Sequence, residues 1–418
     1  MQDNYLKNPK AECVLIVGGG LLQVPAIEIA QKMGLVAAVT DKDPEAPGIR
    51  IADEPKTINI YDIKSHLKFV DELKKKYVLK GVFTEGADVE VTVAESAFYA
   101  GLPGISPQAA RNCKSKVLMR KCFEKAGIPN PRWAEVKSLR EAIRTAENNI
   151  GFPLIFKAVD NCASRGSTRV FDKKEIPSAW QMAMESSTTK SALLEGLYRG
   201  KEQSTEIIFD GKGKCYHLNI VDRPFSSGKW AMELGHINPS ALPNTKKETL
   251  FRLAEKAAKA CGVNFGAFKI DTIWTKDGPR ILEVTARLSG GFDCQYTTPL
   301  ATGRNFIKAA LDLAISNEID KGDLTPKWHK YAVAWAAFPP PGEVVSIAGI
   351  EDALAVPGVR HVFLRVKPGD VIRSYLDCAA RPAFIIAVGN SKEEAMEQAQ
   401  KGAKSLKIET RRVRGENL

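Results

Sequence analysis

No apolar run in the chain approaches the roughly 20 residues that a membrane-spanning helix needs. Its start, Met1 to Lys10, does not resemble a signal peptide. The eight cysteines, Cys13, Cys113, Cys122, Cys162, Cys215, Cys261, Cys294 and Cys378, are widely spaced and include no CxxC pair. That pattern argues against a disulfide framework and for reduced thiols in a cytoplasmic protein. Histidine is scarce: the five are dispersed, none at zinc spacing from a cysteine, so a structural zinc site is not expected. Aromatic residues make up 8%, with no aromatic-basic platform for single-stranded nucleic acid. Internal repeats and low-complexity tracts are absent as well.

What is present reads as an ordinary globular protein. At 418 residues, 44% hydrophobic and 26% charged, the chain is long enough for two or three domains with substantial cores. The net charge of +11 raises the question of nucleic acid or an anionic membrane surface, but the basic residues are scattered. Lys74-Lys75-Lys76 and Arg411-Arg412 read as solvated helix and tail surface. Neither kind of partner is expected.

Phe268 to Trp274 reads as a strand, Lys276-Asp277-Gly278-Pro279 as a turn, and Ile281 to Arg287 as the returning strand. A turn centred on Asp277 sets Asp271 opposite Glu283 and puts Glu283, Thr285 and Arg287 on one face. Facing carboxylates repel unless a cation lies between them. Carboxylate oxygens suit Mg²⁺, and Arg287 with Ser289-Gly290-Gly291 beyond it suits phosphate. The competing reading is a plain charged hairpin neutralised by Arg287 and Lys269.

Upstream, Cys13 to Val17, Gly18-Gly19-Gly20, a helix over Ala26 to Met33 and a strand Val36 to Thr40 ending at Asp41 make a βαβ opening. Gly18, Gly20 and Asp41 fit part of a dinucleotide fingerprint, but Gln23 stands where its third glycine belongs. The strand Gly81 to Thr84 ends at Glu85, a candidate substrate contact at the carboxyl end of a parallel sheet. Ser106-Pro107 opens a helix running toward Gly127, with Ala110, Cys113 and Val117 as its buried stripe. Leu154 to Lys157 is a strand ending in lysine, and Asp160 to Thr168 is a loop of small residues, Ser164, Gly166 and Ser167 among them, able to bring backbone N–H groups close to an anion. Ala192 to Leu197 is a strand with Glu195 and Leu197 at its end, and Glu202 follows. Arg223 and Arg304, as single arginines, read as surface ion-pair partners. From Tyr331 onward, short strands and Gly/Pro turns lead to a helix capped by Ser391 and Glu394.

In order, Lys116 in Lys-x-x-x-Arg, Lys157, the small-residue loop, Glu195 to Glu202, Asp271 and Glu283-x-x-x-Arg287 resemble the ATP-grasp superfamily. Within it the chain is similar to the carboxylate-amine ligases, including L-amino acid ligases. The resemblance implies an α/β fold, α+β in parts: a Rossmann-like preATP-grasp domain at 1–105, an ATP-grasp domain at 106–325 and a small lid-like α+β domain at 326–418. It implies that Lys116 and Lys157 hold the phosphates of ATP under the loop of Ser164, Gly166 and Ser167. Glu195 and Leu197 would take the adenine, Glu202 the ribose, and Asp271 and Glu283 Mg²⁺, with Mn²⁺ as the alternative. Arg287 and Lys157 would be catalytic, and Glu85, His236, Arg287, Ser289, Gly290 and Gly291 would meet the substrates. Those would be a small-molecule carboxylate and an amine, joined through an acyl phosphate. A homodimer is common in the family, although the chain itself carries no oligomer signal. Two positions depart from the family pattern: Asp271 stands for the usual Glu, and Thr285 for the usual Asn, which weakens the second metal position. A carboxylase- or kinase-like enzyme, a noncatalytic nucleotide-binding relative and a nicotinamide-dependent oxidoreductase using Gly18, Gly20 and Asp41 stay open as alternatives.

Overall fold

The computed structural model describes residues 10–160, 164–227, 230, 232–316 and 318–412. An all-apolar strand has no solvent side, and Glu12–Val17 accordingly lies inside a parallel sheet ordered Glu54–Thr57, Val36–Asp41, Glu12–Val17, Val78–Phe83. Cys13, Leu15 and Val17 pack on Phe69, Val70 and Leu73 of helix Ile63–Lys76. Val14 and Ile16 face the other way, onto Ala26 and Ile27 of helix Val24–Lys32 and onto helix Phe306–Ser316. The expected βαβ opening is therefore present.

The helix expected from Ser106 to Gly127 is two helices, Pro107–Lys114 and Lys116–Lys125. Ser115 between them is extended, and its hydroxyl accepts a hydrogen bond from the Leu118 N–H at 3.3 Å, capping the second helix. Serine competes for backbone donors in this way, which is why it starts helices more readily than it continues them. Ala110, Cys113 and Val117 are buried as the periodicity implies. The break places Lys116 at the first position of a helix.

An eight-stranded antiparallel sheet forms the centre, in the order Gly278–Thr285, Phe265–Thr275, Lys201–Asp210, Cys215–Arg223, Gly235–Asn238, Tyr331–Ala337, Ala383–Gly389, Val359–Leu364. Its last three strands come from residues beyond 325, so the C-terminal segment shares this sheet while adding a three-stranded sheet of its own. The junction needs a glycine: a Cβ at Gly235 would lie 2.2 Å from the Ala334 carbonyl oxygen. A separate four-stranded antiparallel sheet, Trp133–Val136, Ala192–Gly196, Leu154–Ala158 and Thr168–Val170, carries helix Ile176–Ser186 on one face. Between the small sheet and the Asp271–Glu283 end of the large one lies a cavity of about 1150 Å³.

Candidate active site

The hairpin pairs Asp271 directly with Glu283, with a bulge between Asp271 and Thr272. Their charges are compensated by cations from elsewhere. Lys269 Nζ lies 2.6 Å and Arg223 Nη1 2.7 Å from the Asp271 carboxylate, and Lys116 Nζ lies 3.0 Å from Glu283. Burial would raise both carboxyls, but Arg223 and Lys269 at one, and Lys116 at the other, hold them below the usual range. A lysine at a helix N-terminus opposes the helix dipole, so Lys116 sits where an anion is welcome and its own charge is not.

Across the cavity, Glu195 is almost fully buried between Arg120 Nε at 2.7 Å and Lys157 Nζ at 2.6 Å. Burial pushes its carboxyl up, and the two cations outweigh that, bringing it down to about 2. Arg120 is fully buried and also donates to Asn130 Oδ1, to the Ile281 carbonyl at 2.9 Å and to the Leu282 carbonyl at 2.7 Å. One guanidinium thereby ties the small sheet to the Asp271–Glu283 hairpin. Glu202, on the cavity wall, has its carboxyl raised to about 7 by burial, against the pull of Arg223.

Lys116, Lys157, Ser164, Ser167, Glu195, Leu197, Glu202, Asp271 and Glu283 all line the one cavity. Gly166 lies in the loop beside them, its φ of +70° and close approach to Ser186 both calling for glycine. Asn161, Cys162 and Ala163 of that loop lie outside the described residues. The expected substrate group is not in the cavity wall. Glu85 is fully buried under the glycine loop, and neither carboxylate oxygen has a hydrogen-bond partner among the described residues. Burial raises its carboxyl well above the usual range. Arg287 turns away from the cavity, donating from Nε to Asp88 Oδ1 at 3.2 Å and from Nη1 to the Leu288 carbonyl at 2.7 Å. Ser289 gives its N–H to Glu206 at 2.7 Å, and Glu206 has its carboxyl raised to about 6 by burial. His236 is wedged between Asp293 and Glu233, each at 2.9 Å. Burial would lower its pKa, but the two carboxylates raise it to about 9, so it is an imidazolium at neutral pH. A Cβ on Gly291 would lie 2.3 Å from the His236 ring.

Sequence reasoning treated Arg223 as a surface partner. It is instead a buried bridge between Asp271 and Glu233, its Nε 2.6 Å from the latter, and Arg381 closes the other side of Glu233 at 3.1 Å. Arg304 hydrogen-bonds the Leu218 carbonyl at 2.8 Å. Arg120 was visible only as the end of Lys-x-x-x-Arg, with nothing in the spacing to say that it is buried. The dinucleotide alternative also meets its geometry here. Asp41 accepts the Gly19 N–H at 2.9 Å, and the Gln23 side chain packs within 3.4 Å of where Cβ atoms of Gly18 and Gly20 would be, filling the loop a pyrophosphate would need.

Comparison with known proteins bears directly on this arrangement. Residues 150–295 match the model of the ATP-grasp domain, and residues 335–411 that of the L-amino acid ligase C-terminal domain 2. The chain carries an ATP-grasp domain over residues 150–295. The chain is 23% identical over 412 residues to a formate-dependent phosphoribosylglycinamide formyltransferase of Methanocaldococcus jannaschii, covering 94% of this chain and 96% of the relative. It is 25% identical over 339 residues to an uncharacterised protein of Sinorhizobium fredii, covering 80% and 69%. Its fold is similar to that of the L-amino acid ligase from Bacillus licheniformis, with a TM-score of 0.81 at 21% identity over 97% of this chain and all of that one. The carboxyaminoimidazole ribonucleotide synthase of Aspergillus clavatus complexed with ATP aligns with a TM-score of 0.74 at 19% identity, over 95% and 98%. The α/β architecture expected from the resemblance is the one observed. ATP-grasp proteins use ATP with a divalent metal, and the residues here suit such an ion: two facing carboxylates of hard oxygen, and beside them the buried Thr285 hydroxyl with no partner among the described residues. No helix among the described residues is long and apolar enough to cross a membrane.

Proposed function

We propose that the protein is an ATP-dependent carboxylate-amine ligase that works through an acyl phosphate and releases ADP and phosphate. The observation that carries this reading is the convergence of Lys116, Lys157, Asp271 and Glu283 on one cavity, each neutralised by an opposite charge of the chain itself. Lys116, at its helix N-terminus, and Lys157 grip the nucleotide phosphates, and the backbone around Ser164, Gly166 and Ser167 folds over them. The base lies against Leu197 and the ribose against Glu202. Because the Glu195 carboxylate is held by Arg120 and Lys157, its role here is to aim Lys157 rather than to receive the adenine amine. Asp271 and Glu283 hold Mg²⁺, or Mn²⁺, which when bound supplies neutralising charge on the phosphates.

The substrate carboxylate attacks the terminal phosphorus, the bond from that phosphorus to the bridging oxygen breaks, ADP leaves, and Arg287 leaves Asp88 to meet the phosphate now carried as the acyl phosphate. The amine then attacks the acyl carbonyl, and phosphate leaves. With the Ser289 N–H engaged by Glu206, the N–H groups of Gly290 and Gly291 are the ones left to stabilise the tetrahedral oxyanion. Both small-molecule substrates sit beyond the hairpin, toward Glu85 and His236. We place the reaction in the cytoplasm, with a homodimer as the assembly to look for by sedimentation velocity.

The test is ADP and phosphate release from Mg-ATP against paired carboxylates and amines drawn from amino acids, amino sugars and polyamines. Release should need both partners, and Glu283→Gln should cut it on the order of 1,000-fold, several kcal/mol of lost charge stabilisation. Release that ignores the amine would favour the kinase- or carboxylase-like alternative. Failure to bind ATP at all would overturn the assignment.

A further inference from the structure

A second group of metal-ligating side chains stands at the far end of strand Cys215–Arg223 from the cavity. Eight residue steps at ~3.3 Å put Cys215 about 26 Å along the strand from Arg223. Cys215 and His217 are two apart on the strand and share a face. Helix Asn244–Cys261 supplies Phe251 and Glu255, one turn apart, to that face. The His217 ring stacks on Phe251 with centroids 4.3 Å apart and planes 3° from parallel, and its Nε2 lies 2.7 Å from Glu255 Oε1. One ligand atom from each of Cys215, His217 and Glu255 falls within 4.8 Å of the other two. Ligand atoms at ~2.0–2.3 Å from a tetrahedral ion stand roughly 3.3–3.7 Å apart, so the trio reaches such a site by shifts of about 1 Å: the His217–Glu255 contact at 2.7 Å must widen and no pair lies beyond 4.8 Å. The imidazole is already fixed in plane, and all three side chains are partly open to solvent, which gives an ion a path in and leaves room for a water. Lys214 does not crowd the trio: its ammonium lies 4.5 Å over the ring of Tyr216, on the strand's other face.

We propose that Cys215, His217 and Glu255 form a binding site for a divalent transition metal of the zinc class, with water in the fourth position, independent of the nucleotide cavity. Thiolate and imidazole favour such ions over Mg²⁺, so the Mg²⁺ needed for ATP does not compete. On binding, the Cys215 thiol gives its proton to the buffer, neutral His217 donates a ring nitrogen, and the His217–Glu255 contact opens to admit the ion. The site joins the strand to helix Asn244–Cys261, whose Ala254, Ala257 and Ala258 pack with Met119 and Phe123 of the helix that begins at Lys116. The proposal goes beyond the sequence expectation of no structural zinc site: Cys215-Tyr216-His217 would supply two ligands at a spacing too short for a finger, and the third would come from the helix 38 residues on.

The test uses the full chain, stripped of metal and held in excess Mg²⁺, with Zn²⁺ titrated against a chromophoric chelator and Co²⁺ added as a spectroscopic probe. The site predicts one saturable equivalent of Zn²⁺, a thiolate-to-cobalt charge-transfer band, and a rise in unfolding temperature with Zn²⁺. Cys215→Ser and His217→Ala should each weaken binding at least ~100-fold, since loss of outer-sphere partners alone costs roughly 10–100-fold, and should abolish the band while circular dichroism stays unchanged. Cys122→Ser, at another partly exposed cysteine, should bind as wild type does. No saturable Zn²⁺ binding, or binding that survives Cys215→Ser, would overturn the site.

Discussion

The front wall of the active site and the group of buried acids behind it differ in how fully their charge is paired. In front, Asp271, Glu283 and Glu195 each touch at least one cation at 3.0 Å or less. Behind, between the glycine loop and residues 289–295, the acids outnumber the cations. Both oxygens of Glu85 and one each of Glu206 and Asp293 are buried without hydrogen-bond partners among the described residues, as are Ser289 Oγ and Gln295 Oε1. Unpaired buried polar atoms are costly and rarely kept without use. Under the proposed function the front would take a polyphosphate and an ion, and the chain's own cations and carboxylates pair with one another there. Under the proposed function, these unpartnered acids behind the cavity are where we expect the substrates to be selected.

The contrast breaks most visibly at Arg120. Arg120→Met keeps the bulk but removes the Glu195 pair and the donors to Ile281 and Leu282. Leaving a buried carboxylate with Lys157 as its one remaining ion-pair partner should cost about 3–5 kcal/mol of stability, measured by urea unfolding. If the front is held by its charges, Lys157 also loses its aim, and ATP affinity should fall in the variant that remains folded.

Among the acids behind the cavity, His236 gives a smaller effect with a pH signature. Its folded pKa, about 9, lies above the ordinary 6.5, so it adds stability fully present below pH 6.5 and lost as pH rises through 9. The margin of wild type over His236→Gln should therefore shrink across that window, by up to about 3 kcal/mol. A margin independent of pH would mean that the imidazole is neutral in the fold.

The hairpin was legible because strand alternation and a turn at Lys276-Asp277 set Asp271 against Glu283 with no information beyond the local sequence. Lys157, Glu195 and Glu202 were legible for the same reason: strands announce their ends. The buried acids behind the cavity were not, because their contacts span the chain. Glu206 meets Ser289 83 residues away, and Arg287 meets Asp88 199 residues away. Arg120 escaped because a helix surface pattern does not show that another sheet will cover it. The break at Ser115 escaped because an apolar stripe runs through Cys113 and Val117 regardless. The extension of the central sheet by Tyr331–Ala337 depends on Gly235 allowing a close approach, a long-range event with only a glycine to mark it.

The smallest effect sharpens the comparison most, since it runs opposite to that at His236. Glu206 accepts the Ser289 N–H through one oxygen and leaves the other unpartnered, and its folded pKa of about 6 lies above the ordinary 4.5. A raised carboxyl favours the fold while protonated and penalises it once charged, so the penalty grows from pH 4.5 through 6 and is complete above. Glu206→Gln keeps an oxygen for Ser289 and cannot ionise. Its new amide N–H adds a cost of about 1 kcal/mol that does not change with pH, so the slope is the readout. Relative to wild type, the variant should gain about 2 kcal/mol between pH 4.5 and 7 in urea unfolding and then level off. A flat difference would mean that a cation or solvent already reaches Glu206, and the acids behind the cavity would then be no more short of positive charge than those in front.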